Sequence, residues 1–384
     1  MRVYLDNGAT TKVDPVVVEA MKPYFSEKYG NASSLHVFGR ETKEALENAR
    51  SVLAKKINAE PDEIVFTSGG TESDNIALKG LLLCEKCRGK NHVITTKIEH
   101  PAVLNSCKFL EQNGFKVTYL DVDKDGFINL EQLKKSISSK TAMVSVIHAN
   151  NEVGTIQDLE KIGGICKGRN LIFHSDVVQS FTKVPIDVNK YNLDLASLSG
   201  HKIHGPKGVG AIYVKKRLFV CPFMHGGGHE RGLRAGTENI PGIVGFAKAV
   251  EISSEKDVER MKELRDYLIE KVLSKIPKTT LNGPRNNRLC NNAHFTIDNV
   301  EGEAILFALD EKGIAVSTGS ACSSKSLKPS HVLLAMGRKK EESHGSIRIT
   351  LSKFTTKKEI DYFIENLIEV VANLRKMSPL YKKI

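Results

Sequence analysis

Glu63-Ile64-Val65-Phe66-Thr67-Ser68-Gly69-Gly70-Thr71-Glu72-Ser73 is the stretch that decides the fold. A short run of strand-forming residues meets two glycines, and Ile76, Leu78 and Leu82 then recur at helical spacing. Strand, tight turn and helix in that order open a parallel α/β sheet. Strand-like runs continue at 92–96, 116–120, 142–147, 171–174, 193–198 and 209–214, and Leu130, Leu133 and Ile137 mark a helix among them. Together with 63–67 they predict a mainly parallel seven-stranded sheet.

Outward from this block the character changes on both sides. Asp14 caps and Pro15 starts a short helix, and Ala45, Leu46, Ala49, Val52, Leu53 and Ile57 mark another. Beyond residue 255, Val258, Met261, Leu264, Leu268, Val272 and Ile276 form the apolar face of a long charged helix. A last helix opens with the capping box Thr356…Glu359. The expected organisation is a large α/β domain over 14–256 and a smaller α+β domain over 257–384, the latter joined by residues 1–13.

A chain of 384 residues has room for two or three domains and a core that needs no staples. With 40% hydrophobic and 26% charged residues it is neither disordered nor fibrous. Apolar runs such as Gly80-Leu81-Leu82-Leu83-Cys84 are far too short to cross a bilayer, and Met1-Arg2-Val3-Tyr4-Leu5-Asp6 lacks the apolar core of a signal peptide. The expected location is the cytoplasm, with no membrane partner. Two quantities stay open: a net charge of +11 and seven cysteines. In such a compartment an odd cysteine count argues against a disulfide framework and leaves room for a reactive thiol.

In open α/β sheets, ligands gather at the carboxyl ends of the strands. Here polar clusters follow strand after strand: Ser68-Gly69-Gly70-Thr71, then Glu99-His100-Pro101, Asn150-Asn151-Glu152, Asp176 with Gln179, and Ser199-Gly200-His201-Lys202. The Gly-Gly-Thr turn suits a phosphate. For that segment alone, an ordinary βα turn with Thr71 capping the helix is an equally good reading. The whole set makes chemical sense as a pyridoxal phosphate site. A lysine forms the Schiff base, a carboxylate pairs with the pyridinium nitrogen, and the Gly/Thr turn holds the phosphate. A flat imidazole stacks on the ring, while the amides of Asn151 and Gln179 fix the ring hydroxyl and a substrate carboxylate. Farther on, Ser317-Thr318-Gly319-Ser320-Ala321-Cys322-Ser323-Ser324 has nothing bulky to anchor it, so Cys322 reads as an exposed, movable thiol.

These residues resemble the cysteine desulfurases of the NifS/IscS branch of class V aminotransferase-like enzymes. The similarity runs from Tyr4-Leu5-Asp6-Asn7-Gly8-Ala9-Thr10-Thr11 to Ser378-Pro379-Leu380. Its most specific segments are Thr67-Ser68-Gly69-Gly70-Thr71-Glu72-Ser73, Ser199-Gly200-His201-Lys202, Gly226-Gly227-Gly228-His229-Glu230-Arg231-Gly232 with Arg234-Ala235-Gly236-Thr237, and Gly319-Ser320-Ala321-Cys322. The resemblance implies the fold type I architecture of pyridoxal phosphate enzymes.

It also implies roles for particular residues. Lys202 would be the Schiff-base lysine, Asp176 the partner of the pyridine nitrogen and Gln179 that of the ring hydroxyl, while His100 would stack on the ring and relay protons. Gly70, Thr71, Ser199 and His201 would hold the phosphate. Thr237 would reach the phosphate of a neighbouring subunit, which implies a homodimer. Asn151 and Arg348 would bind the substrate carboxylate. Cys322 would take sulfur from L-cysteine as a persulfide, releasing L-alanine and passing sulfur to an iron–sulfur scaffold or a tRNA-thiolation protein. Selenocysteine lyase, or another class V aminotransferase-type reaction, is the alternative.

Two positions depart from the family pattern. Val177 stands where Ala is common after the aspartate, and the chain ends soon after Ser378-Pro379-Leu380, which argues against docking of a scaffold through a longer tail. Other motifs carry less. Asp121-Val122-Asp123-Lys124-Asp125-Gly126 imitates an EF-hand start but has Gln132 at the twelfth position, and Cys84-Glu85-Lys86-Cys87 has no second pair. No metal is expected. The basic runs at 215–217, 338–340 and 357–358 are scattered and lack interleaved aromatics, so no direct nucleic-acid contact is expected.

Overall fold

The computed structural model describes residues 1–86, 89–318 and 329–377. The chain opens with a two-residue strand, β1 (Val3–Tyr4), and then builds one sheet from seven strands. These are β2 (Ile64–Thr67), β3 (His92–Thr96), β4 (Lys116–Leu120), β5 (Thr141–Ser145), β6 (Ile172–Asp176), β7 (Leu195–Ser199) and β8 (Gly210–Val214). Their order is β2-β8-β7-β6-β5-β3-β4. Each overlaps a run that the sequence predicts, with β5, β6 and β7 extending one or two residues past it, and the sheet is mainly parallel as expected. The exception is β8, antiparallel to both β2 and β7. Its link from β7 holds only the single turn Gly200–Lys202, too short for the dozen or more residues of a parallel crossover.

Strands covered on both faces read as unbroken apolar runs, and β3, β5, β7 and β8 are buried along their whole lengths. Leu46 and Leu53 of helix Val37–Lys56 pack with Ile243 and Phe246 of helix Ile240–Glu251 against one face. Val103, Cys107 and Leu110 of helix Pro101–Gln112 join Leu81 and Leu82 against the other. The strand order reverses between β3 and β5, since the chain goes outward from β3 to β4 and returns on the other side. That is the switch point where an open α/β sheet leaves a crevice.

A third apolar cluster lies under the antiparallel sheet β12-β10-β9, made of β9 (Thr279–Leu281), β10 (Asn292–Ile297) and β12 (Ser346–Thr350). Helices Glu255–Lys275, Gly302–Glu311 and Lys357–Met377 cover it. β1 pairs in parallel with β11 (Ile314–Ala315), so the first residues belong to this half. The expected caps are present: Asp14 accepts from the Val16 N–H, and Thr356 and Glu359 cap one another.

Three local features differ from the sequence reading. Helix Val37–Lys56 starts well before Ala45, because His36 Nδ1 accepts from the Gly39 N–H and caps it. The stretch after the Gly-Gly turn is broken by a π turn at Ile76–Gly80. Cys84 and Cys221 are joined as a disulfide across 137 residues of sequence, which corrects the expectation that the cysteines stay unpaired. The Cys221 N–H donates to the Gly80 carbonyl at 3.0 Å, laying that loop on helix Leu81–Lys86, and the 6.1 Å between Cα atoms is ordinary for such a bond. Cys107, Cys166 and Cys290 are free and buried. Among the described residues no helix is long and apolar enough to cross a membrane.

Burial also sets the pH range of stability. His148 and His204 are held down to about 4, and His174 and His294 to about 3, by desolvation in each case. Against an ordinary value of 6.5, the stability they contribute is present above that pH and lost as pH falls toward 4. Glu99 and Glu152 act oppositely: burial pushes them up to about 8 and about 7 from 4.5, so their contribution is lost as pH rises through that window. His100 and His201, also near 4, join the histidines, and the buried Asp74 and Asp176 join the acids, so histidines outnumber acids below pH 6.5 while acids alone titrate just above it. Thermal denaturation followed by circular dichroism should show a maximum near pH 6.5, declining on both sides.

Candidate functional site

One cavity of about 620 Å³ opens at the carboxyl ends of β3, β5, β6 and β7. Its lining includes Gly70, Thr71, His100, Asn151, Asp176, Gln179, Ser199, His201, Lys202 and Arg348. Ten residues singled out from sequence, spread over almost 280 positions, therefore meet in one place. Thr237 does not join them; it is exposed on the chain's own surface. Cys322 lies outside the described residues.

At one end of the cavity, Gly69 holds φ at +154°, a conformation L side chains rarely adopt. A Cβ on Gly70 would come within 2.7 Å of Val178. Gly69 itself occupies the N-cap position of helix Gly70–Asn75 with no side-chain cap, so the alternative reading of Thr71 as the cap does not hold. The turn is braced from below: the Glu72 carboxylate takes the Ser68 N–H at 2.7 Å and pairs with Arg234 at 3.0 Å. Beside the turn, Ser199 Oγ is buried without a hydrogen-bond partner. A buried polar atom left unsatisfied is costly unless a ligand completes it.

Lys202 projects from the turn after β7, its Nζ donating to the Gly8 and Ala9 carbonyls at 2.6 Å each. Gln179 donates to the same Gly8 carbonyl at 3.0 Å. The N-terminal segment thus forms a wall of the cavity, which explains why Asn7-Gly8-Ala9-Thr10 is a recognisable motif. Lys183 clamps the floor, donating to the main-chain carbonyls of Gln179 at 3.0 Å and Lys202 at 3.1 Å. Asp176 ends β6 at 5% exposure and accepts the Val178 N–H at 2.9 Å. His100 caps helix Pro101–Gln112 by accepting the Ala102 N–H at Nδ1, which assigns the proton of its neutral ring to Nε2. Burial first, and then the Lys202 and His331 charges, hold its pKa down to about 4, so the ring is neutral at physiological pH.

Arg348, on β12, enters from the other half of the chain. It donates to the Asn151 carbonyl and to Asp6 Oδ1, both at 3.0 Å, and is 2% exposed. Its Nε is buried with no hydrogen-bond partner. The backbones of Ser317 and Arg348 are paired, which fixes the residue just before the segment that bears Cys322. On the far side of that segment Ser330 donates to the Glu152 carboxylate, and His331 donates to the Glu99 carbonyl at 3.0 Å.

Sequence reasoning gave no role to Asp74, Glu99, Glu152 or His331, though all but Glu99 line the cavity and Glu99 lies against it. Glu99, Glu152 and His331 stand beside recognised motifs. Asp74 carries no signal, since Glu72-Ser73-Asp74-Asn75 reads as a solvated helix face.

Comparison with known proteins agrees with this geometry. The sequence profile described as Aminotransferase class-V matches residues 3–363. The cysteine desulfurase IscS of Dictyoglomus turgidum is 50% identical over 384 residues, covering 99% of this chain and 97% of that protein. The Methanosarcina thermophila cysteine desulfurase IscS is also 50% identical, over 99% and 95% of the two chains. Among solved structures, a NifS-like protein superposes with a TM-score of 0.91 at 42% identity, covering 97% of this chain and all of the other. A structure described as SspA in complex with cysteine superposes with a TM-score of 0.83 at 38% identity, covering 92% of this chain and 100% of the other. The chain belongs to the class V aminotransferases, a family of pyridoxal phosphate enzymes, and within them to the IscS-type cysteine desulfurases.

Proposed function

We propose that this chain removes sulfur from L-cysteine, releasing L-alanine and leaving the sulfur as a persulfide on Cys322. The observation that carries the reading is the convergence of Lys202, Asp176 and an Arg348 with an unsatisfied buried Nε on one cavity. The cavity fits pyridoxal phosphate. Ser199 Oγ awaits an acceptor or donor beside the Gly70–Thr71 turn, and the backbone there comes too close to Val178 for any side chain at 70. Ser199, His201, Gly70 and Thr71 would hold the phosphate, Asp176 and Gln179 the ring, and Lys202 the aldehyde. When bound, the cofactor withdraws electrons from the substrate Cα and so labilises the bonds around it.

The protein's own groups do the rest. Arg348, held in orientation by the Asn151 carbonyl and Asp6, offers its fork to the substrate carboxylate. Lys202 has an amine placed to move a proton at the substrate Cα, since the Gly8 and Ala9 carbonyls hold it at the cavity wall. The neutral His100 ring presents Nε2–H over the same space and acts first as a donor. Cys322, as thiolate, attacks the substrate sulfur, and the S–S bond forms as the Cβ–S bond breaks. The Cβ–S electron pair stays on Cβ and takes up a proton to replace the one that Cys322 gave up, and alanine leaves with the overall proton count unchanged.

The remaining assignments rest on the resemblance and on supporting features. A division into 14–256 and 257–384 with 1–13 follows the separate apolar clusters of the two sheets. Homodimer formation accords with the exposure of Phe25, Tyr29 and Leu35 and of Phe219 and Phe223, on the chain leading to Thr237. A cytoplasmic setting and transfer of sulfur to an iron–sulfur scaffold or thiolation protein follow from the proposed reaction. The function is tested by incubation with L-cysteine and a reductant, with alanine and sulfide measured together. Arg348→Lys keeps the charge but loses the fork, and should lower kcat/KM for L-cysteine about a hundredfold, mostly through KM. An unchanged KM would remove Arg348 from carboxylate binding.

A further inference from the structure

Asp74 lies one turn into the helix that follows the Gly-Gly turn, and it lines the cavity beside Asp176 at 1% exposure. Its Oδ1 has no hydrogen-bond partner; His174 Nε2 is 3.7 Å away, beyond hydrogen-bond reach. Everything that faces it is neutral or acidic. From β6 come Asp176 and His174, and the latter's imidazole is spanned by Ser145 at 2.8 Å and Ser197 at 3.0 Å. From β7 comes the Ser197 hydroxyl, and Glu99 adds a further acidic group from beyond β3. No cation pairs with Asp74 among the described residues.

We propose that Asp74 is held as a protonated, neutral carboxylic acid on the cavity floor and positions Asp176 as the single ionised carboxylate there. Two buried carboxyl groups in one site cannot both ionise cheaply. The asymmetry between them is visible in their partners. Burial raises Asp176 too, to about 6, but the Val178 N–H that it receives and the Lys202 charge both favour its anion. Asp74 has the Ser197 hydroxyl alone on that side of the balance. Burial, and then the Asp176 charge, hold its carboxyl well above the ordinary range. A neutral Asp74 has an O–H to donate at the atom that otherwise has no partner. It then braces the Asp176 anion without competing for a positive charge above it. Asp74 is thus a positioning residue, and its link to the cofactor rests on the reading of Asp176 given above.

The test uses the holoenzyme and two variants, Asp74→Asn and Asp74→Ala. Infrared difference spectra between wild type and Asp74→Asn at neutral pH should show the carbonyl stretch of one protonated carboxylic acid lost in the variant; Glu99 and Glu152, also buried acids, cancel in the difference. Asn keeps a neutral donor, so Asp74→Asn should retain the wild-type visible spectrum and release cofactor within about twofold of the wild-type rate. Asp74→Ala should release it at least about tenfold faster, the size expected for a lost hydrogen bond to a charged group. A difference spectrum showing a lost carboxylate instead would overturn the proposal. So would an Asn variant that releases cofactor as fast as the Ala variant. If Asp74→Ala fails to fold, the infrared result on Asp74→Asn decides alone. A wild-type protein that takes up no cofactor, yet shows the infrared band, would overturn the reading of Asp176 and leave the proton on Asp74 intact.

Discussion

Lys202→Met should yield a folded protein whose desulfuration of L-cysteine falls by about 10⁴-fold or more. Methionine keeps most of the side-chain volume but has no amine, so both covalent retention of the cofactor and proton movement at the substrate Cα are lost together. The structural cost is local: the Gly8 and Ala9 carbonyls lose their 2.6 Å donors. Borohydride treatment makes the claim specific. Wild type should become irreversibly labelled on the peptide containing Lys202, and the variant should not. Among the described residues, Lys183 is the amine to test as a competitor, since it donates to the Lys202 carbonyl and burial lowers its pKa to about 8. A variant labelled at Lys183 with retained turnover would move the catalytic amine there.

Glu230→Ala should cost about 3–5 kcal/mol of stability, read as a lowered urea midpoint with an unchanged slope. Glu230 and Arg50 face each other as two parallel hydrogen bonds of 2.9 Å, with side chains 2% and 4% exposed. Glu230 also accepts the Phe66 N–H at 2.7 Å, and the Arg50 guanidinium lies 5.0 Å from the Phe66 ring centre. Removing the acid therefore leaves the buried Arg50 with only the more exposed Glu47 and the Ile64 carbonyl, and leaves the edge-strand amide of Phe66 without its partner. The same pair holds a strained turn: Glu230, Arg231 and Gly232 all have positive φ, at 45°, 57° and 81°. Release of that turn should loosen the path to Thr237. The double variant Arg50→Met, Glu230→Leu should recover much of the stability, because the buried charge is then gone. Equal losses in the single and double variants would show that the pair is not what holds this region.

The large sheet was legible because its strands are short runs rich in β-branched and aliphatic residues set between turns and helices, and all seven form. The site was legible because each strand ends in a polar cluster and the sheet carries those clusters to one edge. What escaped depends on contacts between distant segments. The antiparallel β8 follows from the shortness of one connection, and the Cys84–Cys221 bond from the way a loop lies on a helix. Asp74 looked like solvated helix surface, and only its burial against Asp176 gives it a role. The meaning of Glu230 was hidden similarly, since its partner Arg50 is 180 residues away in sequence.

The charge of +11 still has no structural counterpart in the site, which uses only a few local cations. Cys322 is different: it lies outside the described residues, and its role rests on the resemblance to cysteine desulfurases. The most direct test follows alanine and sulfide released from L-cysteine by wild type and by Cys322→Ala in the presence of a reductant. Wild type should give the two products in equal amounts, and Cys322→Ala should keep the cofactor spectrum and release neither above background. Sulfide release by Cys322→Ala at the wild-type rate, or alanine without sulfide from wild type, would contradict the persulfide mechanism.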